Sequence, residues 1–264
     1  MKRTPGLCLA AVVAASFCGC VTVGESPLPA GAIASGQRTI VAIFPSPGPV
    51  MREDDSTADN LAKFVPGMSF VIAATQNERD ANASSELQSS LPPWTPAEDF
   101  YPVLAGALAP IGYPGKLVPP ADAGLSTQTL SGLNRASGVI DWQLRYYVLN
   151  PSGERPKIPR DYAGAAPGAK DALILEVNLA FGAASDGKDG LIPTLSSVTK
   201  LVRADTMEVL WRREDSVDDK AAMKLRSYFM KHPDELLGEY RSLMPALAQA
   251  TASHLSLNLR AAGL

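Results

Sequence analysis

Along Gly138–Leu149 (GVIDWQLRYYVL), Ile140, Trp142, Leu144, Tyr146 and Val148 alternate with Asp141, Gln143, Arg145 and Tyr147. A period of two predicts a strand with one buried face and one wet face, as in an antiparallel sheet. Leu173–Phe181 repeats the pattern, with Leu173, Leu175, Val177, Leu179 and Phe181 on one face. Thr194–Ala204 and Val209–Arg213 predict two more strands, joined tightly through Asp205-Thr206-Met207-Glu208. Upstream, Arg38–Phe44 is a short apolar run rich in β-branched residues and reads as a buried strand. Ser69–Thr75 predicts another strand, and Lys116–Val118 a brief one.

Two segments carry the helical period. Pro96-Ala97-Glu98-Asp99 has the form of a helix start, with Thr95 to cap it and acids at the positive end of the dipole. Phe100, Val103, Leu104, Ala107 and Leu108 then recur at three and four, and Gly112 and Pro114 close the helix. Pro233–Leu259 carries a longer stripe, and Pro245 is expected to kink or split it. Shorter helices are predicted at Ser126–Ala136 and Lys220–Met230. Gln76–Pro93, polar and rich in Ser and Asn, reads as a loop. Ala184–Gly190 reads as a short turn, and Asn150–Lys170 as a long, Pro-containing loop.

The order of elements predicts an α/β (α+β) fold: a mixed sheet with an antiparallel C-terminal meander, packed by helices. Residues 37–264 form one domain in this reading. The order, together with Leu201–Glu214 (LVRADTMEVLWRRE), resembles periplasmic lipoproteins that share an α/β domain with the N-terminal part of TolB and with lipoprotein activators of penicillin-binding proteins. That resemblance spans about half the chain and assigns no site residue.

The start of the chain adds an address. Lys2 and Arg3 precede an apolar run, Leu7–Phe17, which ends at small residues, as in a secretory signal peptide. The run is shorter than the roughly 20 residues that span a bilayer. Phe17-Cys18-Gly19-Cys20 resembles the lipobox of bacterial lipoprotein precursors, with Phe17 and Cys18 where that family usually has Leu and a small residue. The resemblance implies a signal peptide over residues 1–19 and lipid on Cys20. It also implies attachment of the protein to the membrane through that lipid. Two or three acyl chains suffice for stable anchoring. Val21 in place of Asp implies the outer membrane, facing the periplasm, in a host that has one. Residues 20–36 then read as a lipidated end and a flexible tether, small and rich in Pro and Gly. The other reading is a secreted protein cut after Ala14-Ala15-Ser16.

Composition narrows the function classes. The net charge is −3, and it becomes −5 once residues 1–19, with Lys2 and Arg3, are removed. No basic face is expected, so nucleic acid is not a predicted partner. The three cysteines are Cys8, Cys18 and Cys20, so the body has no disulfide framework. No G-x-S-x-G, H-E-x-x-H, G-x-G-x-x-G or Walker sequence occurs, and no cofactor or metal site is expected. Ser185–Gly190 has acids three apart and reads as a hairpin turn rather than a calcium loop. His232 reads as a helix-start residue and His254 as a packing or rim residue. Glu53, Asp54, Asp55, Glu98, Asp99, Asp218 and Asp219 are explained by loops and helix starts. Trp94 and Tyr147 are candidates for a binding face.

The expected function is therefore that of a lipid-anchored cell-envelope protein, a non-catalytic binding or assembly module with an envelope protein or peptidoglycan as partner. The alternative is a periplasmic carboxylate-based hydrolase acting on glycans. The Asn150–Lys170 loop is the first candidate site, and removing Gly153–Gly168 is expected to leave the fold intact.

Overall fold

The computed structural model describes residues 27–46, 48–52, 82–136, 160–185 and 190–264. The predicted strands at Ser69–Thr75 and Gly138–Leu149 lie outside the described residues, as do Cys20 and Tyr147.

Among the described residues, seven strands form one mixed sheet. β1 (Arg38–Pro45) lies between β3 (Lys116–Val118) and β4 (Leu173–Ser185), parallel to both. β4, β5 (Gly190–Arg203) and β6 (Val209–Asp218) form three of the four strands of the predicted antiparallel meander. β2 (Val50–Arg52) continues the β1 side of β4, and β7 (Lys224–Leu225) continues the β6 side of β5. Met207 turns the β5–β6 connection at φ 59, a left-handed geometry unusual for a residue with a side chain. Between β1 and β2 the chain leaves the ladder. There the Phe181 N–H of β4 donates to Ser46 Oγ at 3.3 Å, so the gap does not orphan it.

Helices cover both faces. On one face lie α1 (82–90), α2 (Pro96–Leu108), α5 (Arg226–Lys231) and α6 (Pro233–Ala261). They meet Val41, Ile43, Leu175, Val177, Leu179, Leu201 and Trp211 in one continuous apolar cluster. On the other face lie α3 (Thr127–Ala136), α4 (Tyr162–Ala165) and the 3₁₀ turns around them. A smaller cluster forms there around Ile40, Ala42, Phe44, Ile174 and Val202.

Several expectations change. The alternate face of β4 is not wet: Ile174, Glu176, Asn178 and Ala180 are all buried. Residues 160–172 fold back over it, which alternation along β4 could not reveal. Gln76–Pro93 is not all loop, because residues 82–90 are helical. That helix places only Ala83 and Leu87 in the core, too few to show a period. Lys220–Met230 is not one helix. Asp219 accepts from the N–H groups of Ala221 and Ala222 and closes a 3₁₀ turn, after which Lys224 and Leu225 are extended. The last third of Asn150–Lys170 is ordered into α4 and a 3₁₀ turn. Finally, Pro245 does not split α6, which is continuous over 29 residues. Pro245 and Arg241 lie on its exposed side, where water can meet the carbonyl that the proline leaves unbonded.

α6 buries a continuous stripe from Leu236 to Leu259. Leu247 is fully buried against the sheet. Its replacement by Ala is expected to cost about 2–5 kcal/mol. Urea unfolding checks this, and a cost under about 1 kcal/mol would mean that α6 is peripheral.

Candidate functional site

A groove of about 630 Å³ opens at the carboxyl end of β1. In open α/β sheets this end, where connections diverge, is the usual ligand position. The groove exists because β3 is short. β4 pairs with β1 from Thr39 to Pro45, but β3 pairs only from Arg38 to Ile40. Among the described residues, the β3 side of β1 beyond Ile40 is bordered by side chains rather than by a strand. Trp94, Pro96 and Tyr101 form one wall, and Pro119, Pro120, Leu125 and Leu130 the other. Among the described residues, the lining is mainly apolar and its one charged side chain is Glu98.

The Trp94 wall is fixed by packing and one ion pair. Its ring centroid lies 4.7 Å from that of Phe181, and it stacks on Tyr240 at 6.3 Å. Its indole Nε1–H donates to Asp99 Oδ2 at 2.8 Å, and Arg241 Nε donates to the same oxygen at 2.9 Å. These two hydrogen bonds, that of Trp94 first, hold the Asp99 carboxyl below the usual carboxylate range. Trp94 is thus both cover for the core and groove wall.

The opposite wall rests on a buried polar cluster. Arg160 and Glu176 form an ion pair in which both side chains are 5% exposed. The other guanidinium nitrogen, Nη2, donates to Asn134 Oδ1 at 2.8 Å and Asn178 Oδ1 at 3.0 Å. Tyr162 donates its hydroxyl proton to Glu176 Oε2 at 2.7 Å. Burial, then the negative charge of Glu176, pushes the Tyr162 hydroxyl well above its usual value, so it stays a donor. The guanidinium lies 4.0 Å from the Phe44 ring centroid. Lys200 Nζ approaches Glu176 Oε1 at 3.7 Å. Since Phe44 and Asn134 line the groove, the cluster braces its floor from below.

The long loop thus enters the described structure as an anchor. Asp161 accepts from the Gly164 N–H at 2.8 Å, and a Cβ at Gly164 would stand 2.2 Å from Asp161 Oδ2. Removing Gly153–Gly168 would take Arg160 and Tyr162 out of the core. The expectation that the fold survives that deletion is therefore corrected.

A second polar cluster lies under α6, away from the groove. His254 Nδ1 is 2.8 Å from Asp215 Oδ1, and Thr251 Oγ1 donates to Asp215 Oδ2 at 3.2 Å. Arg213 Nη2 meets His254 Nε2 at 3.2 Å. With its side chain 30% exposed, His254 stands at the rim of α6. Asp215 is buried but sits in a polar run, Arg212–Ser216, that reads as wet, so the sequence carried no signal for the pair. His232 lies between α5 and α6, its ring 4.5 Å from that of Tyr228.

Other singled-out residues fall into place or out of range. Glu98 accepts from Thr95 Oγ1 at 3.1 Å, and Asp219 closes its turn. Glu53, Asp54, Asp55 and residues 186–189 lie outside the described residues. Among the described residues, no group of three or more His, Cys, Asp and Glu side chains is placed to hold a metal ion. None of their helices is long and apolar enough to cross a membrane.

No protein-family model matches the chain, and no curated protein does. Solved structures that are similar include the LpoB C-terminal domain from Salmonella enterica. It is 15% identical, with 71% of this chain and 87% of that chain covered and a TM-score of 0.20. At that distance the likeness assigns neither a site nor an activity.

Two outcomes follow from this geometry. Glu176→Gln and Arg160→Met each remove one member of a buried ion pair and are expected to cost up to about 3–5 kcal/mol, the second less because Lys200 Nζ stays near Glu176. The double variant should cost clearly less than their sum. Urea unfolding of the four proteins checks this, and additive costs would mean the groups act independently. For Asp99 the pKa is lower folded than unfolded, so its contribution is full above the usual carboxylate range. It is lost as pH falls through the lowered value, below about pH 4. Asp99→Asn should therefore flatten the fall of the melting temperature between about pH 4 and 2.5. An unchanged slope would show that the Trp94–Asp99–Arg241 contact does not control it.

Proposed function

We propose that the chain is a lipid-anchored cell-envelope protein whose body is a non-catalytic binding module. The groove at the carboxyl end of β1 is its contact site. The observation that carries this reading is the groove's lining: mainly apolar, with Glu98 its one carboxylate among the described residues. Hydrolysis of a glycosidic bond by two carboxylates needs a pair about 5–10 Å apart across the bond. Binding an apolar partner needs only a dry, shaped wall, which Trp94, Tyr101 and the proline pairs supply.

The address comes from the lipobox-like Phe17-Cys18-Gly19-Cys20. In this reading Cys20 carries the lipid and the groove faces the periplasm; the tether expected over residues 20–36 is shorter than that, because Leu28, Ala32 and Ile33 are buried in the core. An envelope protein is the favoured partner over peptidoglycan, because sugars call for polar lining.

Metabolic labelling with radioactive palmitate tests the address. The parent chain should take up label and fractionate with membranes, and Cys20→Ala should lose label and become soluble. Label on the Cys20→Ala chain would exclude that anchor. Incubation of the purified chain with peptidoglycan sacculi tests the activity. No release of soluble sugar fragments is expected, and release that depends on Glu98 would favour the hydrolase.

A further inference from the structure

We infer that the groove binds an extended polypeptide segment, which adds a strand to the edge of β1 that no described strand covers; this rests on the reading of the groove as the contact site.

The direction of the main-chain groups carries the inference. Ser46 N–H donates to Leu179 O on β4 at 2.7 Å, and Lys116 N–H donates to Gln37 O on β1 at 2.8 Å. Along a strand the N–H and C=O groups of successive residues face opposite sides. Even-numbered residues of β1 therefore face β4, and odd-numbered residues face β3. The β3 ladder ends at Ile40↔Val118. Beyond it, the carbonyl of Val41 and both main-chain groups of Ile43 meet no strand among the described residues. Val41, Ile43 and Pro45 all line the groove. Pro45 stands at the next odd position, where an edge tolerates the missing N–H.

An apolar groove with main-chain donors and acceptors along its floor selects its occupant. A lipid tail or a small apolar molecule would cover those groups without bonding them, which is costly. A sugar chain would lay hydroxyl groups on Trp94, Pro119 and Pro120. An extended peptide satisfies both requirements, with main-chain bonds to the edge and alternate side chains in the walls. Charge narrows it further. Glu98 lies on the groove and no Lys, Arg or His does so among the described residues. The favoured segment is apolar and alternating, with a basic residue beside Glu98.

The test uses the chain from residue 20 onward and a random dodecapeptide library displayed on phage. Selected peptides should be β-branched and alternating, with Lys or Arg at one flank. In the free chain the Ile43 amide should exchange faster with deuterium than those of Ala42 and Phe44, which bond β4. A selected peptide should slow Ile43 exchange by about tenfold or more. The same peptide N-methylated at alternate amides should fail to do so. Glu98→Lys should weaken the basic peptides by about threefold. Ile43 already protected in the free chain would mean that another part of the chain fills the groove, and would overturn the inference. So would an empty selection, or peptides that leave Ile43 exchange unchanged. None of these outcomes bears on lipid attachment at Cys20, which palmitate labelling reads separately.

Discussion

The charge of Glu176 stands in the middle of a strand that is covered on both faces, and it has to be balanced where it is. A lone carboxylate at that depth would take up a proton or unfold its surroundings. Arg160 supplies the balancing charge at Oε1, where Asn178 Nδ2 also donates, and Tyr162 donates to Oε2, which the arginine leaves available. Arg160 and Tyr162 arrive from the far end of the long loop. Pinning them to β4 brings α4 and its 3₁₀ turn over the sheet and closes the second core. Arg160 then reaches Asn134 of α3 and the Phe44 ring of β1, so one ion pair joins three elements beneath the groove.

Much of the sheet was legible in the amino-acid pattern. β1 shows as an unbroken apolar run, β4 follows a period of two from Leu173 to Phe181, and the tight turn at Asp205–Glu208 marks the β5–β6 hairpin. The starts of α2 and α6 carry Pro at the first position with acids behind it. The rest was hidden for physical reasons. Glu176 and Asn178 fall at wet positions of an alternating strand, and only a partner distant in sequence reveals that they are buried. The helix at residues 82–90 is polar on nearly every side because the core needs only Ala83 and Leu87 from it. The groove follows from a length mismatch, three paired residues of β3 against seven of β4, which no local pattern records.

Stability and recognition are separated in this molecule but share parts. Trp94 packs on Phe181 and Tyr240 and also faces the groove, and Phe44 lies over Arg160 and also faces it. A wall made of core residues is rigid, which limits the ordering cost of binding. The same economy explains why the candidate chemistry in the sequence led elsewhere. The histidines and acids mostly serve caps, turns and one buried seam under α6, whereas the residues that shape the groove are prolines, aromatics and aliphatics.

The central claim is that this groove is occupied when the protein is at its place in the envelope. Residues 21–264 contain no cysteine, so under the proposal that residues 1–19 are removed and Cys20 is lipidated, Ser131→Cys, on the α3 wall, gives a single reactive thiol. Its rate of reaction with a small maleimide can be compared in intact cells and in the purified protein. Slower labelling in cells, with an unchanged rate at a control cysteine replacing exposed Ser242, is the predicted result. Equal rates at Ser131→Cys in both settings would contradict it.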